Sequence, residues 1–189
     1  MRFWSRFLLE LSHHILDIAE NATRAGSKTV RITLTEDTHS DRLTLEVADD
    51  GRGMSAEERG RALDPFFTTK KVRRVGLGLP MLADAAQRTG GTFTLDSAPG
   101  RGTRLEASFG LCHLDRQPLG DVAASLVSLI AGNPDVDFVY RHRHDAAEYV
   151  LDTREIRQEL DGVPMSHRDV LKLIRDNIVE GLEEIGSEG

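Results

Sequence analysis

Cysteine is almost absent from this chain: Cys112 is the one thiol among 189 residues. That excludes an internal disulfide framework and any cysteine-built iron–sulfur or zinc site, and it suits a reducing compartment. No motif surrounds Cys112, so it is expected as a small core residue rather than a nucleophile. Net positive charge is lacking too, since 24 Lys and Arg stand against 31 Asp and Glu, leaving −7 at pH 7. This argues against non-specific binding to nucleic acid or to an acidic membrane surface. Long apolar runs are missing, and nothing approaches the roughly 18 residues that a membrane span needs. The opening "MRFWSRFLLELSHH" carries Arg2, Arg6 and an apolar run, as a secretory signal would. Glu10, His13 and His14 interrupt that run and no small-residue cleavage site follows, so a cytoplasmic chain is expected. No internal repeat or low-complexity segment is present.

What remains is an ordinary globular composition, 39% hydrophobic and 29% charged, long enough for one domain and an appendage. Leu8, Leu11, Ile15, Ile18 and Ala22 recur at helical spacing, which predicts a helix over Leu8–Ala25 that Gly26 closes. "TVRITLTED" and "RLTLEVADD" alternate apolar and polar residues as two half-buried strands do. "SAEERGRAL" reads as a short helix with Ser55 and Glu58 forming a capping box. "DPFFTTKKVRRVGLGL" has no regular period and reads as a loop. A helix over "PMLADAAQRTGG" then has Pro80 in its first turn and Gly90–Gly91 at its end. "TFTLDSAPGRGTRLEASF" reads as a hairpin. Beyond about Leu114, "PLGDVAASLVSLIAG" predicts a helix, "VDFVYRHRH" and "AEYVLDTREI" a strand pair, and "SHRDVLKLIRDNIVEGLEEI" a last helix capped by Ser166 and Asp169. The expected division is residues 1–114 as one domain and 115–189 as a small α+β extension.

Three local patterns carry chemistry. On the first helix, Asn21 and Arg24 fall within roughly 40° of Asp17, opposite the apolar stripe, with His13, His14 and Glu20 flanking them. "VADDGRGM" sets a D-x-G-x-G turn directly after a strand. Asp49 there can accept a hydrogen bond from an exocyclic amine, while Gly51 and Gly53 let backbone and ligand approach closely. "VGLGLPM" opens a helix, and Gly76 and Gly78 leave backbone N–H groups free to face phosphate oxygens. It is neither a P-loop, for lack of a following Lys-Ser/Thr pair, nor a dinucleotide fingerprint, because Pro80 and Met81 take the later positions.

The asparagine helix, D-x-G-x-G, "DPFFTTK", G-L-G-L and the "PGRGT" hairpin occur in that order between about Leu11 and Phe109. In this the chain resembles the GHKL ATPase superfamily of gyrase, the heat-shock chaperone ATPase, histidine kinases and the mismatch-repair ATPase, most of all the histidine kinase catalytic domain. The resemblance implies an α/β sandwich of Bergerat type: a mixed sheet with helices on one face. It implies ATP and Mg²⁺ as ligands, with Asn21 as the Mg²⁺ ligand and Asp49 reading the adenine amine through help from a water near Thr103. Gly51, Gly53 and Met54 would line the base. Lys70, Gly76 and Gly78 would meet the phosphates, and Leu77 and Leu79 would anchor the loop. Residues Lys71–Val75 would form a short lid, where Arg73 and Arg74 are candidates for phosphate or partner contact.

One position departs from the pattern. Gyrase-like members place a glutamate base four residues before the asparagine, where this chain has Asp17. Aspartate is one methylene shorter, so as a base it would need a tighter site or a second water. His13 and His14 sit on the asparagine helix itself with little chain before them, and are expected at a polar rim or interface rather than as phosphate carriers. His142 and His144 share a strand face, but two ligands without a third do not make a metal site. The implied function is an ATPase or a trans-acting protein kinase of histidine or serine kinase type. The alternative is an ATP-dependent switch or anti-sigma-like module that engages a protein partner through the C-terminal extension. A homodimer is compatible with either.

Overall fold

α1 (Leu11–Arg24) forms where the stripe predicts it and buries Leu11, Ile15, Ile18 and Ala22. The computed structural model describes residues 10–64 and 78–187, so Leu8 lies outside it. The helix closes with Gly26 at φ +80°. Gly26 N donates to Thr23 O at 3.0 Å and Ser27 N to Ala22 O at 3.3 Å. This paired closure needs a left-handed residue just past the helix, which glycine adopts without steric cost.

β1 (Thr29–Asp37) and β2 (Arg42–Asp49) pair antiparallel, with Val30 opposite Asp49. Their alternation sends Val30, Ile32, Leu34, Leu43, Leu45 and Val47 inward. α2 (Ala56–Arg61) has the expected capping box: Glu58 N donates to Ser55 Oγ at 3.1 Å, and Ser55 N to Glu58 Oε2 at 2.8 Å. α3 (Gly78–Arg88) begins earlier than the "PMLADAAQRTGG" reading, and Pro80 sits within its first turn. β3 (Phe93–Ser97) and β4 (Thr103–Gly110) make the hairpin.

α4 (Val122–Gly132), β5 (Asp137–His144), β6 (Ala147–Asp152), α5 (Thr153–Glu159) and α6 (Arg168–Glu184) complete the order. Three expectations need correction here. The "AEYVLDTREI" strand stops at Asp152, whose carboxylate accepts from Arg154 N at 2.9 Å and so starts α5. The Ser166–Asp169 capping box does not form. α6 starts at Arg168, so His167 is the cap and its Nδ1 accepts from Asp169 N at 3.3 Å. Cys112 is exposed rather than buried, because it lies past the end of β4 in a turn whose backbone is tied to Asp41.

The strands form one mixed sheet in the order β3-β4-β2-β1-β5-β6, antiparallel except for the parallel pair β1 and β5. α3, α1, α4 and α6 lie side by side across one face, each touching the next. One core joins strand residues such as Ile32 and Leu45 with Phe138 and Tyr140 from beyond residue 114. The opposite face presents Arg31, Thr33, Thr44, Glu46, Arg104 and Arg141, as expected for a sheet with one solvated side. The architecture is thus the α/β sandwich the resemblance implies. The strands beyond residue 114 continue the same sheet past β1.

Candidate functional site

The D-x-G-x-G segment leaves β2 and is fastened on both sides. Arg52 N donates to Ala25 O at the end of α1 at 3.0 Å, and Gly100 N in the β3–β4 turn donates to Arg52 O at 2.8 Å. Gly53 has φ +66°, and a methyl group on it would overlap the Ala98 carbonyl. The loop thus reaches its position only because this residue lacks a side chain.

Asp49 sits beside this loop. Its Oδ1 accepts from Gly51 N at 2.8 Å and from Ser27 Oγ at 2.9 Å, whereas no described residue donates to Oδ2. One carboxylate oxygen is held and the other remains an available acceptor. Thr103 faces Asp49 across the β2–β4 ladder. Its hydroxyl lies 3.0 Å from Ser97 Oγ, which accepts from Met54 N at 2.8 Å and donates to Gly102 O at 2.9 Å. An open cleft of about 410 Å³ beside Asp49 and Thr103 is lined by Arg59, Arg101 and Arg104, opens toward the solvated face of the sheet and includes no residue of α1.

α1 presents the other half. Asn21 Oδ1 accepts from Arg24 Nη1 at 3.2 Å, and Arg24 pairs in turn with Glu20. Asp17, one turn earlier, lies directly against Gly78, where a methyl group would overlap its carboxylate. A carboxylate against the first residue of α3 meets the positive end of that helix. Leu79 packs against the core. Asp17 and Asn21 thus lie on α1, Asp49 at the end of β2 with Gly51, Gly53 and Met54 in the loop after it, Gly78 on α3 and Thr103 on β4. Lys70, Arg73, Arg74, Gly76, Leu77 and the Lys71–Val75 segment fall outside the described residues.

The histidines divide differently. His14 is fully buried, with Nε2 3.1 Å from Gln117 Oε1, and burial lowers its pKa against the opposing pull of that hydrogen bond. His142 is buried with Nδ1 2.7 Å from Tyr140 and Nε2 2.8 Å from Glu36, and His144 Nδ1 lies 2.8 Å from Ile185 O. Among the described residues no three His, Cys, Asp or Glu side chains gather as a metal site would need. No described helix is long and apolar enough to cross a membrane.

Two hydroxyls escaped the sequence reading, Ser27 and Ser97. Each sits beside a glycine-containing turn, and a serine near a turn is too common to signal a site. Their contacts to Asp49 and Met54 come from the tertiary approach of segments far apart in the chain.

A family described as histidine kinase-, DNA gyrase B-, and HSP90-like ATPase matches residues 8–113. The chain is 34% identical over 93 residues to the sensor histidine kinase ZraS of Klebsiella oxytoca, covering 49% of this chain and 20% of that protein. It is 33% identical over 98 residues to the alginate biosynthesis sensor protein KinB of Pseudomonas aeruginosa, covering 51% of this chain and 16% of that protein. The chain therefore matches a fifth or less of the length of these two relatives. The Aquifex aeolicus MutL ATPase domain complexed with ADP superposes with a TM-score of 0.51 at 13% identity, over 77% of this chain and 63% of that one. The N-terminal domain of a DNA repair protein superposes with a TM-score of 0.55 at 12% identity, over 78% of this chain and 54% of that one. Both superpositions cover more of the chain than residues 8–113, so the shared fold extends into residues outside that range.

Proposed function

Because the chain belongs to the histidine kinase-, DNA gyrase B-, and HSP90-like ATPase family, we propose that it binds Mg-ATP between α1 and the loop after β2. There it hydrolyses ATP slowly or transfers phosphate to a partner in trans. The observation that carries this reading is Asp49, with Oδ1 held by two donors and Oδ2 left as an acceptor beside a glycine-built loop. That donor and acceptor pattern fits an adenine amine.

The donor set of α1 fits the metal as well. The Asn21 carbonyl offers a hard cation a neutral oxygen without repelling a triphosphate. The first N–H groups of α3 suit anionic oxygens, and Lys70, Arg73, Arg74 and Gly76 add charge and backbone donors in the sequence just before them. When bound, Mg-ATP supplies the transferable phosphoryl group and neutralises its charge. Asp17 is the candidate base that polarises an attacking water. Thr103 and Ser97 hold the base-side wall together with Met54.

A second reading is supported by Asp17 being an aspartate that lies against Gly78. A short carboxylate held there is a poor water activator, which favours a switch that senses ATP and engages a protein. The segment from residue 115, proposed as the partner or regulatory module, shares its sheet with the ATP half and would feel such a change. Homodimerisation and a cytoplasmic location belong to the same proposal.

Calorimetry with Mg-ATP tests the site. Asn21→Ala is expected to abolish Mg-ATP binding, and unchanged affinity would sink the assignment. Phosphate release by the purified protein would support the ATPase, label transfer to a partner the kinase, and binding without turnover the switch.

A further inference from the structure

We infer that Ser27 is the positioning residue that sets adenine selectivity, by holding the Asp49 carboxylate in the orientation that presents an oxygen to the base. The inference rests on the reading of Asp49 as the acceptor of the adenine amine. Ser27 is 4% exposed, and its hydroxyl stands 2.7 Å from Ala22 O and 2.9 Å from Asp49 Oδ1. Its place is set by the closure of α1: Gly26 turns the chain, and Ser27 N returns to Ala22 O. The hydroxyl therefore arrives beneath Asp49 by the backbone path, not by a choice among exposed rotamers.

That placement has two consequences. The single Ser27 hydroxyl hydrogen is shared between Ala22 O and Asp49 Oδ1, and Gly51 N donates to the same Oδ1, so turning the carboxylate away would give up both contacts. The same hydroxyl also touches the last turn of the helix that carries Asn21, linking the base-reading carboxylate to the proposed metal ligand. Gly51 takes on a specific meaning as well. A methyl group there would lie 2.6 Å from Ser27 Oγ, 2.9 Å from Asp49 Oδ1 and 3.0 Å from Ala25 O. The glycine is small because the serine hydroxyl and the carboxylate it orients fill the space that a side chain would need.

The test compares binding of ATP with inosine triphosphate, which carries an oxygen in place of the adenine amine, for the wild type and for Ser27→Ala, Ser27→Cys and Ser27→Thr. The wild type is expected to prefer ATP. In Ser27→Ala, ATP affinity should fall about tenfold while inosine triphosphate changes less than about twofold, as for loss of one hydrogen bond to a charged group. Ser27→Cys, near in size but a weak donor, should behave as alanine does and covers the case in which Ser27→Ala does not fold. Ser27→Thr keeps the hydroxyl and should keep the preference. A wild type that does not distinguish the two nucleotides overturns the reading of Asp49 and the inference together. A wild type that does, with alanine and cysteine variants keeping the same ratio, overturns the inference alone. Equal loss for both nucleotides also overturns it, because a merely structural serine would act on both alike.

Discussion

Polar side chains gather around both ends of β1, and they live in different surroundings. Near Val30, Asn21 and Asp49 are partly exposed, and Asp49 Oδ2 has no donor among the described residues. About 20 Å further along, at about 3.3 Å per residue, Glu36, Tyr140, His142 and Ser187 are buried and each has partners. Burial would raise the Glu36 pKa, but hydrogen bonds from His142 and Ser187 outweigh it and bring the carboxyl below its usual value. Burial raises the Tyr140 phenol pKa, and its hydroxyl lies 2.7 Å from His142 Nδ1 while His142 Nε2 lies 2.8 Å from Glu36 Oε1. A closed network of this kind fixes the position of β5 and of the chain after α6. The open end keeps one acceptor, Asp49 Oδ2, without a donor among the described residues, which suits a ligand. His142, which lacks the further ligands of a metal site among the described residues, thus belongs to the structural end.

The largest effect should come from the strained loop at the open end. In Gly53→Ala the added methyl meets the Ala98 carbonyl at a left-handed φ, so the loop has to shift. A cost of at least about 3 kcal/mol is expected in chemical denaturation, together with loss of ATP binding by calorimetry. Gly60→Ala is the counterpart: it lies in α2 with nothing near its missing Cβ. That change should be neutral or stabilise by up to about 1 kcal/mol, leaving ATP affinity unaltered.

Breaking the closed end should separate stability from function. Glu36→Ala leaves His142 Nε2 and Ser187 Oγ without their shared acceptor. The expected cost is about 2–3 kcal/mol, with ATP affinity within about twofold of wild type. A loss of affinity as large as that of Asn21→Ala would mean that the two ends of β1 are coupled.

These contrasts also mark what the sequence could and could not disclose. Periodicity located α1, β1, β2 and the β3–β4 hairpin because each buries one face of a regular element, and Gly26 announced the end of α1. Asp49 and the glycines stood out because a tight turn after a strand restricts residue type. α5 was missed because "TREI" continues from the strand without a break, and its start depends on Asp152 turning back to its own backbone. His167 displaced Ser166 as the α6 cap, a shift of one residue that local pattern does not resolve. Cys112 was misplaced because burial depends on where β4 stops. The parallel pairing of β5 with β1, like the meeting of Ser27 with Asp49, is long-range and leaves no local trace.

A pH titration of stability should separate two buried titrating groups more gently. His14 has a folded pKa below 6.5, so as pH falls below about that value the unfolded chain takes up the proton first and stability declines. Glu36, depressed below 4.5, adds a second decline as pH falls through the acid range. His14→Gln should flatten the first decline and leave the second. Glu36→Gln should leave the first and lessen the second, to which Asp37, Asp50, Glu58, Asp145 and Asp152, also held below their usual values, contribute. A first decline that survives His14→Gln would assign it to another group.

The smallest effect concerns Arg24, and it bears most directly on how lightly the open end is held. Its ion pair with Glu20 leaves the two side chains 52% and 40% exposed, one helical turn apart. Such pairs contribute about 0.3–0.5 kcal/mol, so Arg24→Ala should lower stability by no more than that. The same guanidinium donates to Asn21 Oδ1, the oxygen proposed to face Mg²⁺. Guanidinium and metal ion compete for one carbonyl, and removing the first should tighten Mg-dependent ATP binding by up to about threefold, or roughly 0.6 kcal/mol. Calorimetry with and without Mg²⁺ reads this directly. Weaker binding in Arg24→Ala would instead make Arg24 a ligand of the phosphates. The polar groups at this end of β1 would then be committed to the nucleotide itself rather than held in reserve by one another.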